Sequence, residues 1–498
     1  MHACPLFVID PSPFASVEET DAAVRVFETV AETLRKTKTP AAIHLSGSLL
    51  TALAARKIEP DLPAVEWIRT GWATPDLTSI PDRLALLALS YEAEAMRRIR
   101  VEPGALWVRG WWDRRIPHLV AGAGVDSLLL HADLLGDREP GVVAFLDRVL
   151  PVIPVMGHLP ELDGDGDGLV LFTVPGTDPE TELREAIEHC SGRILTPRAF
   201  LADHQPTGRY APTSEAPSED RESARLRRKM VRLATRVPDK LTPAATEQLL
   251  AGCHGPAHAR GADEQLRHGA HDALVRARAM IDADRRRGDD WTRVSRVDWD
   301  ADGVEELQVE LATLSMVIDP IQSGELLALD DKPLGWAVNV LDTESGGSLC
   351  RFARLDGSQI GVALTVDTVE ESKGSVTVEM AGPIGPGTVK WRLVVTGHRL
   401  DIAYESEAVP QGRIGLELAL GIGEARTRVD GSEWSDVLEP AALAGHRFRL
   451  AGPKHQVLIT SLTPADCFVR PSPGGVVAFL NWAVEGAASH EVAVDLRP

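Results

Sequence analysis

The apolar patterning of this chain changes once, and that change constrains its fold more than any other feature. Over the first ~200 residues, short apolar runs alternate with stretches of helical spacing, as strand–helix units do. Beyond Trp291 the apolar residues recur at the two-residue period of strands, broken by Gly and Asp turns, and continue so to the last residue. A chain written this way folds as a parallel α/β region followed by an antiparallel β region. Its 498 residues exceed what one core supports, which also calls for more than one domain.

In the first region Leu6–Ile9 reads as a strand, and Ser16 opens a helix with Glu19 three residues on, the spacing of a capping box. Ala23, Val26, Phe27, Val30 and Leu34 then form one apolar face. Ala41–Leu45, Ala105–Val108, Ser127–His131, Val152–Met156, Leu169–Val174 and Arg193–Leu195 read as further strands. Leu49–Arg56, Pro81–Arg100 and Ile116–Ala123 read as helices, and Asp178-Pro179 starts another that runs to Cys190. Residues 204–222, rich in Pro, Ser and Thr, form an excursion, and Arg225–Arg236, Thr242–Gly252 and Asp263–Arg285 are helical. In the last region Gly374–Met380, Val389–Thr396, Leu400–Glu405, Gly415–Leu420 and Gln456–Leu462 suit strands of a sandwich. The expected domains are therefore 1–203, a (β/α) barrel; 204–290, a linker and helical segment; and 291–498, a β-sandwich.

A net charge of −21 argues against nucleic acid and anionic membrane surfaces as partners. The start, MHACPLFVID, lacks the basic and apolar regions of a signal peptide, and no segment has the roughly 20 apolar residues of a membrane span. Five scattered cysteines have neither metal spacing nor the even count of a disulfide framework, which fits reduced thiols in the cytoplasm.

Function in a parallel barrel collects at the carboxyl ends of its strands. Read that way, Asp10, His44, Arg109, Trp111, Trp112, Asp113, His131, Asp133 and His158 converge. The carboxylates Asp113 and Asp133, with the histidines, suit acid/base or metal chemistry; the alternative is a polar rim of locally paired His and Asp. Trp111-Trp112 offers a sugar-stacking platform or, alternatively, core packing at a strand end. Asp298, Asp300 and Asp302 before Gly303 invite a calcium reading, but the twelfth position of an EF-hand loop falls on Val309 instead of Glu. Asp163, Asp165 and Asp167 before Gly168 fail the same test at Val174. Solvated turns are the plainer reading of both runs, with a non-EF calcium site left open at the first. Ser46-Gly47 and Cys253-His254 lack an evident base and orienting group for nucleophilic chemistry, and Ser46 suits a helix cap.

Several segments together resemble the glycoside hydrolase family 57, which holds 4-α-glucanotransferases and α-amylases. The clearest is Asp298-Trp-Asp300-Ala-Asp302-Gly303 with Glu305-Glu306, followed by Pro320, Ser323-Gly324, Leu329-Asp330-Asp331-Lys332 and Asn339. It is similar to the start of that family's β domain. His44-Leu-Ser46-Gly47-Ser-Leu49-Leu50, Ile80-Pro81-Asp82-Arg83, Trp107-Val-Arg-Gly-Trp111-Trp112-Asp113, Pro206-Thr-Gly208-Arg-Tyr210, Leu226 with Lys229-Met230, and Cys253 with Leu266-Arg267 resemble further family segments in the same order. The resemblance implies a shortened parallel (β/α) barrel, a helical segment and a C-terminal antiparallel β-sandwich. It also implies an α-glucan or maltooligosaccharide ligand and no required cofactor.

The family's catalytic positions are nevertheless altered. Where the resemblance implies a nucleophilic Glu after Trp107, this chain has Arg109 and Gly110. The segment nearest the acid/base motif, Phe172-Thr-Val-Pro175-Gly176-Thr177, carries no carboxylate before it, and the family's third Asp falls on Gly255. Retaining glycosidases need two carboxyl groups roughly 5–5.5 Å apart. The sequence therefore points to a non-catalytic, carbohydrate-binding or regulatory protein of α-glucan metabolism. An enzyme using Asp113 and Asp133 is the second reading, and a protein-interaction module without sugar affinity the third.

Overall fold

The computed structural model describes every residue except 1, 110–111, 114, 136–140, 146–147, 157–168, 175–177, 190–192, 205–207, 210–219, 286–289, 340–346 and 355–357. The chain forms two compact units, Met1–Glu219 with Cys253–Ala262, and Asp220–Gly252 with Asp263–Pro498.

The first unit opens with β1 (His2–Ile9), α1 (Val17–Thr37), β2 (Ala41–Leu45), α2 (Gly47–Ala55), β3 (Val65–Arg69), α3 (Asp82–Arg98), β4 (Pro103–Val108), α4 (Ile116–Ala121) and β5 (Leu128–His131). It continues with α5 (Ala132–Leu135), β6 (Gly141–Phe145), β7 (Arg148–Met156), β8 (Leu169–Val174), α6 (Pro179–His189), α7 (Pro197–Asp203) and β9 (Gly208–Arg209). Strands β5, β4, β3, β2, β1, β8 and β7 are successive neighbours, and β5 also pairs with β7, so the sheet closes on itself. Every pairing in that ring is parallel. It is a seven-stranded parallel barrel, with β6 added antiparallel to β7.

Strand alternation decides what faces where. Leu6, Ala42, Ile68, Ala105, Trp107 and Leu129 share one buried cluster to which none of the helices α1 to α6 contributes, the barrel interior. Phe7, Ile43, Leu45 and Trp67 belong to the other face and pack with Phe27, Val30 and Leu34 of α1 and Leu49, Leu50 and Leu53 of α2. Full burial of each such side chain contributes about 1.5–3 kcal/mol.

Helix α1 begins as its sequence requires. Ser16 Oγ accepts the Glu19 N–H at 3.2 Å and Glu19 Oε2 accepts the Ser16 N–H at 2.6 Å, the reciprocal capping box. It ends at Lys38 in the left-handed conformation, φ 56°. Strand β3 is an element that hydrophobic patterning does not reveal, because Glu66 and Arg69 interrupt its apolar run, yet both are buried. Glu66 accepts the N–H groups of Ala105 at 3.3 Å and Arg198 at 2.6 Å, which replaces the water it loses.

The second unit contains α8 (Arg221–Ala234), α9 (Pro243–Ala251) and α11 (Glu264–Arg285), while the short α10 (Gly255–His258) lies in the first. Its sheet begins with β10 (Thr292–Val297), β11 (Glu306–Leu311), β12 (Leu314–Asp319) and β13 (Glu325–Asp331), and sixteen strands are joined in it. Met316, Val378 and Ile459, from strands far apart in that order, lie in one buried core, so the sheet folds over itself in two layers. The expected strands Leu400–Glu405 and Gly415–Leu420 are parts of one 22-residue strand, Arg399–Leu420. It pairs with Gly475–Arg497 and shifts register around Val409, a bulge that bends the pair.

The motif Leu329-Asp330-Asp331-Lys332 is buried here in ion pairs. Lys229 Nζ of α8 lies 2.6 Å from Asp330, Lys332 Nζ lies 2.8 Å from Asp282 of α11, and His398 Nδ1 lies 2.5 Å from Asp331. The two lysine–aspartate pairs hold helices to sheet within the unit. Among the described residues, no helix is long and apolar enough to cross a membrane.

Candidate functional site

Parity along the strands selects the side chains at the carboxyl end of the barrel. His44 follows Ala42 by two residues on β2 and pairs in register with Val8 and Ile68, which puts it on the interior face. Asp10 follows Leu6 and Val8 with the same parity beyond β1, and Arg109 follows Ala105 and Trp107 beyond β4. The structure brings these three together. Arg109 Nη1 donates to Asp10 Oδ2 at 2.6 Å, and its guanidinium lies 5.0 Å above the Trp107 ring. Trp107 and His44 also meet edge-to-face, with ring centroids 6.4 Å apart.

His44 is fully buried, and its Nδ1 lies 3.3 Å from the Ile68 carbonyl. A carbonyl only accepts, so Nδ1 carries the proton and Nε2 is a bare acceptor. Burial lowers the His44 pKa; Asp10 opposes that effect and Arg109 adds to it, so the imidazole is neutral near pH 7. Nε2 of His44, Oδ1 of Asp10 and Nε1 of Trp72 are buried and have no hydrogen-bond partner among the described residues. Two bare acceptors and one bare donor thus sit near the ends of β1, β2 and β3.

A fourth polar group reaches this end from far along the sequence. His254 is buried, donates from Nδ1 to the Ala73 carbonyl at 2.9 Å, and meets Phe14 edge-on with centroids 6.0 Å apart. Burial lowers its pKa, and it too feels Asp10 and Arg109. Its neighbour Gly255 packs so closely on the Thr74 carbonyl and the Asp76 N–H that a Cβ would lie 2.7 and 3.0 Å from them. Nothing local to Cys253-His254 in the sequence links it to β1 and β4; the return of Cys253–Ala262 to the barrel unit does.

Behind the rim, Glu92 of α3 is fully buried and accepts the N–H groups of Thr70 at 3.1 Å and Gly71 at 2.9 Å. Its carboxylate lies 3.7 Å from Arg69 Nε. Burial, opposed by Arg69, pushes its pKa up to about 7. A signal for it exists in the sequence: Glu92 stands on the apolar stripe Ala85, Ala88, Leu89, Met96 of its helix.

The other expected site residues have separate partners. Asp113 accepts from Arg115 Nε at 2.9 Å and from the Arg115 N–H at 2.7 Å, and Arg115 also binds Asp82 at 2.8 Å. His131 Nδ1 lies 3.2 Å from Asp133, whose side chain is 88% exposed. Trp112 is buried at 8% exposure, so it offers no open stacking face. Trp111 and His158 lie outside the described residues, as do Asp163, Asp165 and Asp167.

At the start of the β region the carboxylates of Asp298, Asp300 and Glu306 lie within 4.8 Å of one another. Glu306 takes the place expected of Asp302, whose Oδ1 turns back to accept the Val304 N–H at 2.8 Å.

No protein-family model and no curated protein sequence matches the chain. A galactose mutarotase-like protein from Clostridium acetobutylicum aligns at TM-score 0.32 and 9% identity over 42% of this chain and 98% of that one, too distant to carry an argument. The 4-alpha-glucanotransferase from Thermococcus litoralis aligns at TM-score 0.80 and 14% identity over 100% of this chain and 99% of that one. At that identity the likeness is one of fold, and it extends from one end of the chain to the other: barrel, helices and β region are those of the glucanotransferase fold.

Proposed function

We propose that this chain binds an α-1,4-glucan or maltooligosaccharide at the carboxyl end of its barrel and does not cleave it. The ligand class rests on the glucanotransferase fold together with the sequence resemblance. The unpartnered acceptors His44 Nε2 and Asp10 Oδ1 and the donor Trp72 Nε1 support it, because a few placed polar groups among aromatic side chains suit a hydroxyl-rich ligand.

The observation that carries the non-catalytic part is the ion pair of Arg109 with Asp10. Arg109 stands where the resemblance implies a nucleophile. It also engages Asp10 Oδ2 directly at 2.6 Å, which takes that carboxylate oxygen away from a substrate. Glu92 is committed to two backbone N–H groups and is fully buried, away from any substrate.

The test is incubation of the purified chain with maltoheptaose, reading product formation and binding heat together. Heat without products is the expected result, and Arg109→Met weakens it. New sugars that disappear in an Asp113→Asn/Asp133→Asn double variant would refute the proposal in favour of relocated catalytic carboxylates. Absence of both heat and products would also refute it and leave a protein partner as the remaining reading.

A further inference from the structure

Among the described residues, the carboxylates at the turn between β10 and β11 have no cationic side chain at contact distance. Asp298, Asp300 and Glu306 are gathered within 4.8 Å. Arg232 and Arg228 act on them electrostatically, but among the described residues no Lys, Arg or His stands at ion-pair distance from any of the three. Glu306 is the decisive member. It is fully buried; Oε2 accepts the Trp299 N–H, while Oε1 is buried and has no partner among the described residues. Oδ1 of Asp300 is in the same state. A bare carboxylate oxygen inside a protein costs several kcal/mol unless a cation or donor meets it.

We propose that Asp298, Asp300 and Glu306 bind one calcium ion, with the turn folded around it. Ligands that each sit about 2.3–2.6 Å from a calcium ion lie no more than about 5 Å from each other, which the observed spread satisfies. The donor set is oxygen only, with neither His nor Cys, and so selects a hard cation. Counting from Asp298, the carboxylates Asp298, Asp300 and Asp302 occupy positions one, three and five of an EF-hand-type loop. Gly303 is at position six with φ +90°, Val304 at seven where a backbone carbonyl serves, and Glu306 at nine. The buried Glu306 thereby supplies from β11 the anchor that the absent Glu at position twelve supplies elsewhere.

The ion has a structural task. Trp299, between two of the ligands, is buried with Val317 and Leu327. Arg232 of α8 lies 4.7 Å above its ring and donates to the Asp298 carbonyl. Calcium fixes this turn, and with it the seat of α8 on the sheet.

The experiment is calorimetric titration of the full chain with calcium chloride after chelator treatment, and with magnesium chloride in parallel. One calcium per chain is expected, bound more tightly than magnesium. Glu306→Gln and, separately, the partly exposed Asp300→Asn weaken it at least about tenfold, since ligand charge sets affinity in such sites. Circular dichroism confirms the fold of each variant, and Asp300→Asn decides the matter if Glu306→Gln does not fold. No calcium heat in the native chain, equal affinity for magnesium, or native affinity in Asp300→Asn would each overturn the proposal. The inference is independent of sugar binding.

Discussion

Glu92 and Arg69 form a buried pair whose two halves respond differently to losing their partner, and the difference is measurable. At its shifted pKa of about 7, against an ordinary 4.5, the Glu92 carboxyl is half protonated at neutral pH. Removing Arg69 drives it to the neutral form, which at pH 7 costs less than about 1 kcal/mol through ionisation. The two hydrogen bonds from Arg69 to the carbonyls of Ala123 and Leu89 contribute a further constant term of about 1 kcal/mol each. Arg69 has no such escape, because a guanidinium keeps its proton. Glu92→Leu therefore leaves a buried cation unpaired and orphans the Thr70 and Gly71 N–H groups, at a cost of about 3–5 kcal/mol or more.

The pH profile separates the cases. A carboxyl whose pKa is raised on folding binds more protons in the native state, so wild-type stability from this group falls between about pH 4.5 and 7 and is level above. In Arg69→Met the fall continues above pH 7, which makes the variant worse through ionisation by roughly 1 kcal/mol at pH 8 and roughly 3 kcal/mol at pH 9. The assay is urea unfolding of wild type, Arg69→Met and Glu92→Leu at about pH 6, 7, 8 and 9. Parallel wild-type and Arg69→Met profiles, or equal costs for the two substitutions at pH 7, would refute the reasoning.

Other consequences are simpler to check. Gly47→Ala drives a methyl into the Trp72 ring and destabilises by about 1–3 kcal/mol in thermal melts, and Gly47→Ala with Trp72→Leu recovers part of the loss. Ser16→Ala breaks the capping box of α1 and costs about 1 kcal/mol, seen as a lower melting temperature with an unchanged native circular dichroism spectrum. Cys4, Cys253, Cys350 and Cys467 are buried, and burial pushes Cys253, Cys350 and Cys467 up to about 12 and Cys4 well above its ordinary value. Of the five cysteines no more than one reacts with a thiol reagent at pH 8 in the native chain, and all five react in denaturant.

The elements that local chemistry defines were legible in the sequence. Ser16 and Glu19 announce α1, Ser46 caps α2 with its side chain 3.4 Å from the Leu49 N–H, and Asp178 accepts the Thr181 N–H at 3.3 Å where α6 begins. Strand β3 was not legible, because Glu66 and Arg69 are satisfied by backbone groups from distant segments and no local pattern records that. The same holds at the rim. Asp10, His44 and Arg109 follow from strand-end position and parity, whereas His254 arrives from a segment more than 140 residues beyond Arg109 in the chain. The EF-hand spacing looks for a carboxylate at its twelfth position, Val309, whereas the third carboxylate of the cluster, Glu306, is the first residue of the next strand.

The threading of Cys253–Ala262 into the first unit bears on how the chain is made. A ribosome delivers α8 and α9 of the second unit before it delivers the last piece of the first. The barrel unit is thus incomplete in any nascent chain that ends at Glu219, and the second unit has begun before the first can finish. The two share one assembly programme, and neither is a cassette that recombination can lift out intact.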